Sequence, residues 1–330
     1  DVSLALPEQP TLLSLVGESG SGKTTLGSLI LGLQAPTEGR IEWEGRPIAA
    51  LGGEERLRFH RDVQVVFQNP YASLNPRMTI ARILRRPLAL HRIVPPDALD
   101  REVTRLLEIV GLTPAASFAA RFPHQLSGGQ RQRIMIAMAL ILKPALLIAD
   151  EPTTALDVTT QAEILALIRE LQRENGTAVL FITHDFGVVA EIADRVAVLR
   201  LGDLVETGST TDVLRNPRHD YTKMLLAAVP PLLPKRLPLP SAAPDVMRTR
   251  ALRKVFVSGG WFGKRRDVIA SDDVEIAVKR GETLAVVGES GSGKSTLARM
   301  LAQLIEPSAG DIEVGADSPT ARGAERALQR

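Results

Sequence analysis

Cysteine is absent from the chain, and tyrosine and tryptophan occur only twice each. Without thiols there are no disulfide staples, thiolate zinc sites or cysteine nucleophile, and a reducing compartment is the natural setting. Long hydrophobic runs are missing too. The longest, residues 134–142, is stopped by Lys143-Pro144 well short of the roughly 20 apolar residues that span a bilayer. A membrane role therefore has to pass through a partner. Excess charge of either sign is small, with 40 Lys and Arg against 38 Asp and Glu. The short basic clusters Arg85-Arg86, Lys235-Arg236 and Lys264 to Arg266 read as solvated surface, so composition indicates no nucleic-acid patch. No signal peptide is visible. The chain starts at Asp1, inside what reads as a strand, and segments beyond both ends are expected.

What is present is an ordinary globular balance, 44% hydrophobic and 24% charged residues, over a length of 330 that suits two domains. The organising stretch is Gly17-Glu18-Ser19-Gly20-Ser21-Gly22-Lys23-Thr24. It fits the pattern G-x-x-x-x-G-K-[ST] and lies between the apolar run Leu12–Val16 and the helix-like run Thr25–Leu33. Glycines let the backbone wrap phosphate oxygens with successive N–H groups, and the following helix turns its positive dipole end to the same anion. Lys23 is expected to bridge the β- and γ-phosphates, and the Thr24 hydroxyl to ligate Mg2+ carried in with the nucleotide. A merely flexible Gly/Ser loop has no reason to place Lys-Thr there.

The loop recurs as Gly288-Glu289-Ser290-Gly291-Ser292-Gly293-Lys294-Ser295, and its flanks are repeated with it, an expected strand at Leu284–Val287 before and an expected helix at Thr296–Leu301 after. Pro36–Ile41 is matched by Pro307–Ile312, and residues 1–6 by residues 273–278 one step out of register. This is a repeat on the scale of a domain.

Along the first copy, alternating residues 1–6 and 40–44 predict half-buried strands, Trp43 on the second being a packing residue. A helix is expected near Glu54–Arg61 and a strand over Val63–Phe67, ending at Gln68. From Pro76 to Arg121 the pattern turns helical, with Leu99, Val103, Leu106, Leu107 and Val110 on one face and Gly111 as a stop. Ser127-Gly128-Gly129-Gln130 opens a helix running to Leu142, Ala145–Ala149 is a wholly apolar strand, and Val158–Asn175 is a helix capped by Gly176. A strand over 177–183, a short helix to about Ala193 and strands near 195–201 and 204–207 follow. Strands alternating with helices give an α/β class with a largely parallel sheet, and the phosphate loop after an apolar strand resembles that of a P-loop NTPase. Six prolines in residues 230–244 read as a semi-rigid linker. The expected division is a first domain at 1–229, a linker at 230–245 and the start of a second domain at 246–330.

Asp150-Glu151 ends the apolar strand, which puts two acids at the carboxyl edge of a parallel sheet, where ligands bind. Asp150 suits the Mg2+ shell, and Glu151 suits polarising an attacking water. In the stretch 127–130, Ser127 is a helix cap and Gly128 and Gly129 expose backbone N–H groups, a second anion site. Two phosphate sites in one domain make sense if they face different nucleotides.

The segment LSGGQRQR, residues 126–133, with Asp150-Glu151, Ala155-Leu156-Asp157 and Thr183-His184-Asp185 after it, resembles the ATP-binding subunit of an ABC transporter. The likeness covers nearly all of 1–229 and the start of another copy. It implies a mostly parallel core sheet, an antiparallel β subdomain and a helical signature subdomain, with ATP and Mg2+ as ligands. It makes Gln68 a Q-loop residue sensing Mg2+ and the γ-phosphate, Asp157 a residue crossing to a partner domain, and His184 a contact to the γ-phosphate. Thr25 joins the first cradle, and Gly288, Gly291, Gly293, Lys294, Ser295 and Thr296 form the second, with Ser295 toward the metal. The other histidines, His60, His91, His124 and His219, are read as structural.

Residues 66–77 and the tail Pro217–Pro230 are similar to the dipeptide, oligopeptide and nickel importer branch, glutathione importers included. That branch commonly has His-Pro-Tyr-Thr in the tail; here the second of these residues is Asp220. The resemblance implies integral-membrane permease partners receiving the Tyr71–Arg77 stretch, a second ABC ATPase domain, an indirectly coupled solute-binding protein, no nucleic acid, and a peripheral place on the cytoplasmic face of the plasma membrane. The adenine-stacking aromatic lies upstream of the first strand in this family; in the second copy Phe256, Trp261 and Phe262 are candidates. Within the given residues, a composite site of the second phosphate loop with Ser127–Gln130 would lack acids, whereas the first loop needs a signature helix from elsewhere. A soluble tandem ABC ATPase acting on ribosomes or DNA, and a partner that binds nucleotide without turnover, are the alternative readings.

Overall fold

The computed structural model describes residues 2–6, 10–69, 73–154, 156–230, 243–258, 266–289 and 291–315. They fall into two compact units, Asp1–Pro231 and Leu232–Arg330. The expected linker lies, from 231 to 242, outside the described residues.

The first unit is built on a six-stranded sheet. Its strands are β1 (Leu12–Val16), β4 (Val63–Val66), β5 (Leu146–Asp150), β6 (Ala178–Thr183), β7 (Arg195–Arg200) and β8 (Asp203–Ser209), in the order β4-β5-β6-β1-β7-β8. All neighbours run parallel except the β7–β8 hairpin. Every residue of β1 and β6 is buried, as unbroken apolar runs require when both faces of a parallel sheet are covered. The register sets Val16 beside Thr183 and Asp150 beside Ile182, so the ends of β1, β5 and β6 emerge together at one sheet edge. Helix α1 (Lys23–Ile30) follows β1, and α2 (Gly53–Asp62) precedes β4. Trp43 sits on β2 (Glu42–Trp43), which pairs with β3 (Arg46–Pro47), and meets the Phe59 ring edge-on at 5.9 Å, the packing role expected of it.

A helical layer follows β4: α3 (Ile80–Leu90), α4 (Leu99–Ile109), α5 (Ala115–Ala119) and α6 (Gly128–Leu140). Ile80, Ile83, Leu84 and Leu88 of α3 and Val103, Leu106 and Leu107 of α4 recur at helical spacing and are buried. Each such side chain adds roughly 1.5–3 kcal/mol of apolar burial. The unit is completed by α7 (Val158–Asn175), closed by Gly176 in the left-handed region as its sequence predicts, α8 (Phe186–Ile192), α9 (Thr210–Arg215) and α10 (Asp220–Ala227).

The second unit has an antiparallel sheet of four strands: β9 (Asp245–Ser258), β10 (Arg266–Val274), β11 (Ala277–Lys279) and β12 (Ala309–Val314). Its helix α11 (Lys294–Leu301) follows the second phosphate loop.

Two expected strands do not form. Residues 2–6 keep their alternation, with Val2, Leu4 and Leu6 half-buried on the core, but carry no ladder. In the second unit the equivalent stretch pairs with β9, for example Val278 with Met247. The first unit has no counterpart of β9 within the given residues, so its antiparallel layer is reduced, among the described residues, to β2 and β3. The converse holds for Leu284–Val287. Its counterpart β1 is flanked by β6 and β7, whereas no strand flanks this stretch among the described residues, and Leu284, Val286 and Val287 are 43%, 47% and 87% exposed. A strand needs neighbours to take its backbone hydrogen bonds, whatever its composition.

Candidate nucleotide-binding site

The loop between β1 and α1 turns sharply. Gly20 and Gly22 hold φ of 82° and 102°, in the left-handed region. At Gly17 the constraint is space, since a Cβ there would lie 2.2 Å from the Leu199 carbonyl oxygen of β7. The Lys23 amine folds back over the loop and donates to the carbonyls of Gly17 at 2.8 Å and Glu18 at 2.7 Å. Burial pushes its pKa down, against the opposing pull of Glu151 and Asp150. Around the loop Ser21 is buried, while Glu18, Ser19 and Gly20 are exposed.

At the carboxyl edge of β5, Asp150 is 7% exposed and its Oδ1 accepts the Thr24 hydroxyl at 3.3 Å. Burial raises its pKa, only partly opposed by Thr24 and Lys23. Glu151 follows with φ of 45°, its amide donating to the Ile182 carbonyl of β6 at 2.9 Å. Three side chains converge on its carboxylate. Gln68 Nε2 donates to Oε2 at 2.8 Å, the Thr154 hydroxyl donates to Oε2 at 3.0 Å, and His184 Nδ1 lies 2.9 Å from Oε1. Burial alone would raise this carboxyl, but the His184 and Thr154 hydrogen bonds and the charges of His184 and Lys23 leave it below the usual glutamate range. Gln68, the Asp150-Glu151 pair and His184, at the ends of β4, β5 and β6, thus meet beside Lys23 and Thr24. Thr154 was not singled out from sequence; its place three residues after Glu151 in a turn is the signal that could have found it.

Ser127 caps α6 with a reciprocal box. Its Oγ accepts the Gln130 amide at 3.3 Å, and Gln130 Oε1 accepts the Ser127 amide at 3.1 Å. Gly128 is open to space, in keeping with an exposed backbone, but Gly129 has a packing reason. A Cβ on it would come 2.7 Å from Thr160 Cγ2. Thr160 is fixed in turn by Asp157, which accepts its amide and its hydroxyl at 3.0 Å each and caps α7. The sequence reading of Asp157 as a residue reaching a partner domain is therefore joined by a role in holding α7 against the signature turn.

In the second unit the loop keeps the same turn, with Gly291 and Gly293 at φ of 86° and 93°, and Lys294 donates to Gly288 O at 2.7 Å and Glu289 O at 2.6 Å. Ser295 and Thr296 begin α11, with no acidic side chain bonded to either among the described residues. Of the aromatic candidates, Phe256 on β9 is half-exposed beneath the Lys254 amine, while Trp261 and Phe262 lie outside the described residues. Tyr71 of the expected permease-facing stretch lies outside them also. His60 meets the Phe59 ring at a tilt, His124 stacks on Phe122, and His219 caps α10, all structural uses.

The tail motif has its own logic. His219 Nδ1 accepts the Tyr221 amide, Thr222 is buried, and Glu206 accepts the amides of Arg218 and His219. Residue 220 is the first of α10 and its side chain is 95% exposed. Proline and aspartate both suit that position, one by its fixed φ and the other by the helix dipole, so Asp220 in place of the branch's proline leaves the motif intact.

The family model of the ABC transporter matches residues 1–154 and 271–330, and that of the oligopeptide/dipeptide transporter C-terminal region matches 205–268. The glutathione import ATP-binding proteins GsiA of Escherichia coli and Salmonella typhi are each 41% identical, over 94% of this chain and 56% of theirs. The chain thus spans little more than half the length of these curated relatives. Among solved structures, the dimeric ATP-binding cassette MJ0796 in a post-hydrolysis state bound to ADP and Pi is 32% identical with a TM-score of 0.57, over 64% of this chain and 89% of that one. The cbiO1 protein of Clostridium perfringens, part of the ABC transporter complex cbiONQ, is 28% identical with a TM-score of 0.56, over 63% and 80%. With its first phosphate loop, signature helix and acidic pair set on this sheet and a second phosphate loop further along, the chain belongs to the ABC transporter family.

Proposed function

We propose that the chain is an ATP-binding and ATP-hydrolysing subunit that energises a bacterial-type importer of peptides or related small solutes. Its first ATPase domain occupies 1–229, and a second begins at 246 after a linker at 230–245. The observation that carries the reading is the Glu151 carboxylate, held by Gln68, Thr154 and His184 beside the Lys23 loop.

The phosphate cradle consists of Gly17 to Thr25, with Lys23 as its cation. Magnesium fits the donor set: the Thr24 hydroxyl and Asp150 carboxylate are hard oxygens in contact, with Gln68 close by. No cluster of three or more His, Cys, Asp or Glu that could hold a metal occurs among the described residues, as suits an ion carried by phosphates. When bound, the ion neutralises charge on the β- and γ-phosphates. Glu151, kept ionised and oriented by its partners, is suited to take a proton from the attacking water. Gln68 and His184, already touching that carboxylate, are the residues through which the γ-phosphate's presence is sensed. Ser127, Gly128, Gly129 and Gln130 present a capped helix start to a nucleotide held by another domain, with Asp157 beside them.

No helix among the described residues is long and apolar enough to cross a membrane. The likeness to importer ATP-binding proteins supports coupling through separate permease subunits, with the chain peripheral on the cytoplasmic face. A solute-binding protein is reached only through those permeases. Copurification from detergent-solubilised cells with Mg-ATP tests this. A pair of multi-span membrane proteins is expected, with turnover that falls by about 10²–10⁴ in Glu151→Gln while nucleotide binding persists. Recovery of ribosomal or DNA-repair proteins, or binding with no turnover in the parent, overturns it.

A further inference from the structure

Glu18, the second residue of the phosphate loop, is held on three sides. Its carbonyl accepts the Lys23 amine at 2.7 Å. Its amide donates to the Tyr221 hydroxyl at 3.1 Å, and the same hydroxyl donates to Glu18 Oε2 at 3.3 Å. Tyr221 comes from α10, 203 residues away, and is 6% exposed, with the Arg200 guanidinium 5.1 Å above its ring. The helix start that delivers it is fixed by His219 and Glu206 as described above. Glu18 and Tyr221 line a small cleft of about 150 Å3 together with Ser19, Ser21, Leu201 and Met224.

We propose that Tyr221 is a positioning residue for nucleotide binding: the tail helix clamps the entry of the phosphate loop through one hydroxyl that both accepts from the Glu18 backbone and donates to its side chain. The inference rests on the nucleotide-binding reading of that loop. Its logic is entropic. A loop rich in glycine loses much conformational freedom when it wraps an anion, and a hydroxyl that fixes the residue between Gly17 and the loop's turn removes part of that loss before binding. Tail and loop belong to different matched regions, 205–268 and 1–154, so the clamp joins the tail to the shared ATPase body.

The chain carries its own control. Residues 17–23 and 288–294 have the same sequence, GESGSGK, and both lysines make the same two carbonyl bonds. The given sequence holds no tyrosine after Tyr221.

The test is Tyr221→Phe, which removes the oxygen and keeps the buried ring. Hydrogen exchange is read first, without nucleotide. Amides 18–22 are expected to exchange several-fold faster in the Phe variant and amides 289–293 to be unchanged. Nucleotide titration is read second, with an expected affinity loss of about fivefold, the worth of one hydrogen bond, and a raised KM at unchanged kcat. In the Tyr221→Phe background Glu18→Ala should add no further loss, because the side-chain bond it removes is already gone. Unchanged exchange at 18–22, or unchanged affinity with only a lower melting temperature, overturns the proposal. A parent chain that binds no nucleotide instead sinks the functional reading, and the clamp with it as a device for binding, while a raised exchange rate would still leave the contact itself in place.

Discussion

Nδ1 of His184 lies 2.9 Å from Oε1 of Glu151, across 33 residues of sequence. Since the carboxylate is an acceptor, the ring nitrogen facing it carries the hydrogen. Burial works against the charge on Glu151, and the His184 bond is the first of the effects that overcome it, so the folded pKa is lower than the unfolded one. Such a group stabilises the fold above its unfolded pKa and loses that contribution as pH falls through the folded pKa. His184→Ala is therefore expected to lower the melting temperature near neutrality and to match the parent once the pH is below the ordinary glutamate range. Melting curves from pH 7 down to about 3 measure the gap; a gap that stays constant contradicts the assignment.

Asp150 is the opposite case. Burial raises its pKa, so its ionisation costs stability as pH climbs above the unfolded value. Asp150→Asn keeps an acceptor for Thr24 while removing the charge, and should melt at a higher temperature than the parent at pH 7 without nucleotide. The same variant should lose magnesium-dependent nucleotide affinity by tenfold or more. Isothermal titration with and without the cation separates the two effects, and a variant that is less stable than the parent would count against buried charge as the dominant influence.

Gly129→Ala brings a methyl to within 2.7 Å of Thr160 Cγ2, and the Thr160 side chain cannot turn away without giving up its hydroxyl bond to Asp157. Helix propensity favours alanine by up to about 1 kcal/mol, whereas overpacking costs about 1–3 kcal/mol, so a net loss of about 1 kcal/mol in denaturant unfolding is expected. Thr160→Ser removes the offending methyl and keeps the hydroxyl, and the double variant should recover the loss. Additive effects would mean the two sites are independent.

Amides of Leu13–Val16 should exchange slowly, because β1 is bonded on both sides, whereas those of Leu284–Val287 should exchange with little protection. Peptide-resolved exchange on the intact chain decides this, and equal protection would show that the second copy finds strand partners.

The contrast between those two stretches shows what could be foreseen from residues alone. Val158–Asn175 was legible to the residue because it had an Asp cap, an amphipathic body and a Gly stop, all local signals. The phosphate loops were legible for the same reason, since the turn, the lysine and the hydroxyl lie within eight residues. Residues 2–6 and 284–287 misled because alternation and apolarity describe a surface that fits a sheet without supplying one. The convergence on Glu151 was partly legible: Gln68 and His184 were placed by resemblance, but Thr154 was not, and the direction of the Glu151 pKa depends on distances no spacing reveals.

Local chemistry in the sequence by itself determined the two phosphate loops, the capped signature helix, the acidic pair at a strand end and the α/β alternation, because each is decided by neighbours a few residues apart. Only the tertiary structure decided that Gly129 answers to Thr160, that Tyr221 reaches back to Glu18, and that one of two near-copies of a strand is buried at 0–3% in its apolar residues while the other stands 43–87% exposed. Those outcomes depend on which backbone and side-chain partners arrive from far along the chain, and hydrogen bonds and burial exist only where such partners meet.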